Sequence, residues 1–319
     1  MKIAVTLLVA AATLAIPPLL SASQLTIYIL IGVAAMATVG LSLLLGYAGQ
    51  VSLGQASFTA IGGYTAALLA IHTGYPWLGL LAAPIAAAAC AALIGVPILR
   101  LRGHQLAFAT LALQLILLSV LDQASWAGGA IGLQGIPRLS FGSMVLDSDV
   151  AYAYLAWVGV ALTMVVARNL VGSRTGRGLR ALATSEIGAA ASGVPVGGYR
   201  LLVFTVSAAF AGLAGGIYAF YVGYLSPGSF PVLLSIQYVV MAVVGGLGTI
   251  WGALLGTAVV TLLVQLLSTL ATRPDMPDYA PAVLSYAVYA VLLVITALFL
   301  PRGLAGSAAT RGRKADTWT

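Results

Sequence analysis

Stretch after stretch of about twenty residues in this sequence passes without an Asp, Glu, Lys or Arg, and this constrains the chain more than any motif in it. A hydrocarbon core of about 30 Å is crossed by roughly 20 apolar residues in helical form. Only a helix or a closed barrel satisfies every backbone amide away from water. The runs are continuously apolar, as in LLVAAATLAI and AVLLVITALFL, and lack the strict alternation of a barrel strand. Of the 319 residues 61% are hydrophobic and 7% charged, whereas soluble domains carry about a quarter charged residues. The sequence therefore predicts an all-α integral membrane protein, a polytopic bundle of about ten transmembrane helices.

The expected segments fall near residues 3–20, 25–45, 56–71, 78–99, 104–121, 150–167, 201–221, 232–247, 251–271 and 280–299. With Lys2 inside and each segment crossing once, the cytoplasmic loops hold Lys2, Arg100, Arg102, Arg168, Arg174, Arg177, Arg180, Arg200, Arg302, Arg311, Arg313 and Lys314. Arg138 and Arg273 remain outside. Insertion leaves Lys and Arg in the cytoplasm, so this split supports the ten-segment count and places both termini inside. The first segment also resembles a signal peptide, with Lys2, a short apolar stretch and the small residues Ser21 and Ser23. Its cleavage would leave the remaining orientation unchanged.

Several chemistries are absent. The net charge of +7 comes without a basic patch interleaved with aromatics, which argues against nucleic acid. Cys90 is the single cysteine, so neither an internal disulfide nor a cysteine metal cluster is available. His72 and His104 fall in different loops without a carboxylate nearby, and no metal or cofactor is expected. A phosphate-cradling Walker loop needs a lysine after a Gly-rich turn, yet the lysines are Lys2 and Lys314. No charged residue lies within the proposed spans, which argues against ion coupling through a buried carboxylate. Serines without a base or partner lysine do not read as nucleophiles, so the chain is not expected to be an enzyme.

Two Gly-rich stretches interrupt the apolar pattern, GYAGQVSLGQASF at 46–58 and VVGGLGTIWGALLG at 243–256. Each reads either as a pathway-lining break or as a tight turn with small-residue packing. Gln50, Ser52, Gln55 and Ser57 favour a pathway for the first, because lipid penalises their polar groups. With Gly46, Tyr47, Gly49 and Gly54 they form the candidate translocation residues. Gly245, Gly246 and Gly248 favour turn and packing for the second.

The longest cytoplasmic connection runs over 168–200 and is too polar to span. Ser185 caps a short helix beginning at Glu186, whose charge suits the positive helix end, and Gly193 and Pro195 stop it. Ile187, Ala190 and Ala191 share its apolar face between basic arms that contain Arg174, Arg177 and Arg180. Such a helix is either solvated, laid on anionic lipid, or a knob that docks in a partner's groove.

GYAGQVSLGQASFTAIGGYTAALLA at 46–70, RLRGHQLAFATLAL at 100–113, GGAIGLQGIPRL at 128–139, SPGSF at 226–230 and PRGLAG at 301–306 together resemble one family. It is the LivM-type permease subunits of ABC importers for branched-chain amino acids. The string from Gly176 to Ala219 is similar to its coupling loop and following helix. Gln55 stands where relatives often have His, and Gln114 where an acidic side chain is common. The resemblance implies a transmembrane permease domain over 1–306, a coupling loop at 168–200 and a disordered cytoplasmic tail at 307–319. It implies that Arg177, Arg180, Glu186, Ile187, Ala190 and Gly193 couple the chain to a separate ATPase. The implied partners are a second, LivH-like permease, two ABC ATPase subunits and a periplasmic solute-binding protein, in the bacterial inner membrane. A passive channel, or an ABC permease for urea or short amides, is the alternative.

Overall fold

The computed structural model describes residues 16–271 apart from Arg102 and Ser143, together with Val291 and Leu304. Helices run in chain order as α1 (Ala22–Tyr47), α2 (Gln55–Thr73), α3 (Pro76–Ile98), α4 (His104–Gln123), α5 (Asp149–Gly172), α6 (Arg174–Thr184), α7 (Glu186–Ala191), α8 (Val196–Val222), α9 (Val232–Gly245) and α10 (Ile250–Ala271). A two-residue hairpin, β1 (Ser140–Phe141) against β2 (Met144–Val145), sits in the α4–α5 connection. Eight expected segments coincide with α1 to α5 and α8 to α10. The first touches the described residues at 16–20, where Pro17–Leu19 makes a 3-10 turn. The last lies outside them but for Val291, and the tail lies wholly outside.

Among the described residues seven helical spans are long and apolar enough to cross a membrane, formed by α1, α3, α4, α5, α8 and α10, and by α9 together with the 3-10 turn before it (Pro227–Gly245). The chain is an all-α membrane protein. Its helix α2 is diluted by Gln55, Ser57, Thr59 and paired glycines, and protein rather than lipid encloses most of it. The charged residues of the crossing helices sit near their ends, as do Asp122, Asp149, Arg168 and Arg200.

Helix α8 is central, packed against α1, α2 and α3. Ala208, Ala211, Gly212, Gly215, Gly216 and Ala219 give it a buried small-residue face. Lipid tails are as apolar as leucine, so helices in a bilayer gain by close backbone approach rather than by hiding bulk. The approach here leaves no room for a methyl group. A Cβ on Gly215 would lie 1.8 Å from the Thr59 carbonyl oxygen, and one on Gly62 would lie 2.1 Å from that of Gly212. On α3, Ala83 and Ala87 fit over Gly216 and Gly212. Phe58 meets Phe204 edge to face at 5.4 Å, filling the space beside the glycines.

At the far end of α8 the connection after α4 is stitched to the one before α9. The Leu133 amide donates to the Leu225 carbonyl at 2.7 Å, and the Leu225 amide returns to Leu133 at 3.0 Å. The Tyr152 hydroxyl accepts from the Leu139 amide at 3.0 Å, and Arg138 bonds the Asp147 carbonyl.

Adding one methyl at the glycine crossings should be expensive. Gly215→Ala and Gly62→Ala are each expected to destabilise the chain by about 1–3 kcal/mol, the range for overpacking. Gly172→Ala, with no atom within 4 Å of the added carbon, serves as the neutral comparison. The thermal midpoint of the purified protein in detergent checks this.

Candidate functional site

The first Gly-rich interruption forms a sharp re-entry between α1 and α2, and nearly every polar group in it is enclosed. Gly46 and Tyr47 end α1, half-buried, and Gly49 turns the corner with φ of +63°. A Cβ on Gly46 would lie 2.0 Å from the Gly248 amide nitrogen, so the end of α1 rests directly on the α9–α10 turn. Gly54 presses in the same manner on the Thr110 carbonyl of α4, where a Cβ would lie at 2.6 Å.

An interior helix start exposes amides that need partners. Two neighbouring helices and the segment itself supply them. The Leu53 amide donates to the Thr110 hydroxyl at 2.9 Å, and the Ala56 amide donates to the Ser235 hydroxyl of α9 at 2.9 Å. The Ser57 amide returns to the Gly54 carbonyl at 3.1 Å, and the Ser57 hydroxyl donates there too. Ser52 accepts weakly from the Gly54 amide at 3.4 Å.

Gln55 is fully buried and joins α2 to two neighbours. Its Nε2 donates to the Ala37 carbonyl of α1 at 3.3 Å and to the Ser207 carbonyl and hydroxyl of α8 at 3.1 Å each. Gln114, equally buried, donates through Nε2 to the Phe230 and Pro231 carbonyls at 3.3 and 3.2 Å. Its Oε1 accepts from Ser235 at 2.6 Å. Gln50 differs. It is 4% exposed, and neither its amide nitrogen nor its amide oxygen has a hydrogen-bond partner among the described residues.

The second interruption is a turn. Gly246 and Gly248 take positive φ, and Gly245 packs against Gly252 and Gly256 of α10.

The basic segment folds more than its sequence suggests. Arg174 to Thr184, read from the sequence only as a basic arm, is helix α6, which buries Gly176, Gly178, Leu179 and Leu182 while Arg174, Arg177 and Arg180 stay exposed. The Ser173 hydroxyl caps it by accepting from the Gly176 amide at 3.3 Å. Ser185 caps α7 by accepting from the Gly188 amide at 3.1 Å, and Gly193 leaves the helix at φ of +78°. Ile187 is 84% exposed, and Ala190 and Ala191 are exposed beside it. Glu186 is not aimed at solvent alone. Its two carboxylate oxygens accept from Arg200 at 3.2 and 2.9 Å, a two-pronged pair tying α7 to the first turns of α8.

The sequence offered Gln50, Ser52, Gln55 and Ser57 together, and the fold keeps them in one re-entrant segment. It gave no sign of Thr110, Ser207, Ser235 or Arg200. A buried glutamine demands partners, but which helix provides them is a tertiary fact. His72 bonds the Leu68 carbonyl within α2, and no group of His, Cys, Asp or Glu that could hold a metal exists among the described residues.

Residues 23–297 match the family model described as branched-chain amino acid transport system, permease component. The high-affinity branched-chain amino acid transport system permease protein LivM of Salmonella typhimurium is 31% identical, over 89% of this chain and 68% of its own length. The protein of the same name from Escherichia coli K12 is 31% identical, over 87% and 67% respectively. No solved structure matches the chain.

The network makes an ordered forecast. Ser235→Ala strips a partner from both the Ala56 amide and Gln114, each a loss of about 1–3 kcal/mol when buried. Ser207→Ala is expected to cost less, because Gln55 Nε2 keeps the Ala37 and Ser207 carbonyls and its Oε1 loses only a long 3.4 Å bond from the Ser207 hydroxyl. Thermal midpoints of the two variants should fall in that order.

Proposed function

Because the chain belongs to the permease component family of branched-chain amino acid transport systems, we propose that it forms part of the passage of an ABC importer for branched-chain amino acids. In this reading the chain performs no chemistry. A second, LivH-like permease completes the passage, two ABC ATPase subunits drive it, and a periplasmic solute-binding protein delivers the amino acid. The chain would lie in the inner membrane with ten spans and both termini in the cytoplasm. What carries the reading is the family match across residues 23–297, which takes in the crossing helices and the basic segment alike.

Two local features support the division of labour. The exposed apolar residues Ile187, Ala190 and Ala191, beside exposed Arg177 and Arg180, suit docking into a partner's groove with an acidic rim. Within this reading the loop 168–200 is the coupling segment, with Glu186 and Gly193 holding the shape of α7. Gly46, Tyr47, Gly49, Gln50, Ser52, Gly54, Gln55 and Ser57 border the passage. The unmatched amide of Gln50 supports that role, since burying such a group without compensation costs about 1–3 kcal/mol.

The whole complex in proteoliposomes, with ATP inside and binding protein outside, should accumulate leucine, and withholding either should abolish uptake. Uphill accumulation by this chain alone would overturn the proposal. Ile187→Glu tests the docking face separately. The side chain is exposed, so the fold should change by no more than about 0.5 kcal/mol, while co-purification of the ATPase subunits and leucine uptake should both be lost. Unchanged association would remove α7 from the coupling scheme.

A further inference from the structure

A pocket of about 250 Å3 opens among α1, α2, α8, α9 and α10. Its α1 residues, Leu30, Val33 and Ala34, lie turns away from the Gly46 end that rests on Gly248, and Tyr218 lies at the opposite end of α8 from Arg200. The pocket thus occupies the half of the bundle remote from the basic segment. The contact of α1 with the α9–α10 turn stands between the two.

Its lining is mixed. Leu30, Val33 and Met241 are apolar, while Thr59, Gln237 and Thr261 bring hydroxyl and amide groups. Among the described residues no Asp, Glu, Lys, Arg or His lines it. The Thr261 hydroxyl is enclosed without a hydrogen-bond partner among the described residues, on a helix otherwise apolar enough to cross a membrane. Gln237 is partly exposed on another such helix, where lipid would leave its amide unmatched. Polar groups placed this way inside a membrane bundle mark a solute path. The space holds several waters, room for a small organic solute.

We propose that this pocket is a way-station for one zwitterionic amino acid with a branched aliphatic side chain. The side chain lies against Leu30, Val33 and Met241, and the ammonium and carboxylate are met by Gln237 and Thr261. The absence of charge among the described wall residues suits a net-neutral solute and disfavours tight capture of either ionic end. A solute moving on toward the basic end must part the Gly46–Gly248 contact, which makes the re-entrant segment the next barrier. The inference rests on the transport reading above.

The test uses the complete complex in proteoliposomes with its binding protein. Ala34→Leu adds carbons inside the pocket and should slow leucine uptake about tenfold or more while slowing alanine uptake much less, by the energetics of one or a few methylenes in a cavity. Thr261→Val keeps the shape, removes the unpartnered hydroxyl, and should slow leucine uptake severalfold without lowering the thermal midpoint. ATP hydrolysis stimulated by the loaded binding protein should persist in both. Val158→Leu, on an exposed face of α5, should match wild type. Leucine uptake at the wild-type rate in both pocket variants overturns the proposal, and so does equal slowing of leucine and alanine with loss of the stimulated hydrolysis. A wild-type complex that carries urea but no amino acid overturns the transport reading itself, and the wild-type measurement alone tells that failure apart.

Discussion

The fold depends on backbone meeting backbone at the glycine faces of α2 and α8. Where Gly215 sits on the Thr59 carbonyl and Gly62 on that of Gly212, the two helices are as close as main chains allow. Burial of bulky side chains would not achieve this in a bilayer, because leucine gains nothing by leaving lipid for protein. Close approach multiplies weak dispersion contacts and brings carbonyls within reach of neighbouring amides. The buried polar network follows from it. Gln55 can touch both α1 and α8 because α2 is held against α8, and α1 closes on α8 where Gly40 meets Ser207.

That network is neutral throughout. Gln55, Gln114, Ser207, Ser235 and Thr110 exchange hydrogen bonds without a formal charge, so enclosing them requires matched partners rather than a counter-ion. A carboxylate at the Gln114 position would face the Phe230 and Pro231 carbonyls, which accept and cannot donate. The amide suits that place because its Nε2 supplies the donors.

How much of this could be read from the residues differs from place to place. Uncharged runs located the crossing helices well, since hydrocarbon thickness leaves little freedom in length. The caps of α7, Ser185 and Gly193, were legible because capping is local chemistry. Helix α6 was not, because Gly176 and Gly178 weaken its local signal while Leu179 and Leu182 gain burial only from tertiary neighbours. Gln50, Ser52, Gln55 and Ser57 look alike in sequence, yet Gln55 is fully bonded and Gln50 has no partner among the described residues. That distinction comes from which helix happens to stand opposite, and spacing along one strand of sequence does not contain it.

The Glu186–Arg200 pair has a mechanical consequence. Ser192, Gly193 and Val194 are hydrogen-bonded back onto α7, which stiffens the connection to α8. A forked ionic clasp, only 19% and 28% exposed at its two side chains, adds a second tie across it. The short helix is thereby fastened to α8, so any push on Ile187 would reach, through that clasp, a helix packed against α1, α2 and α3.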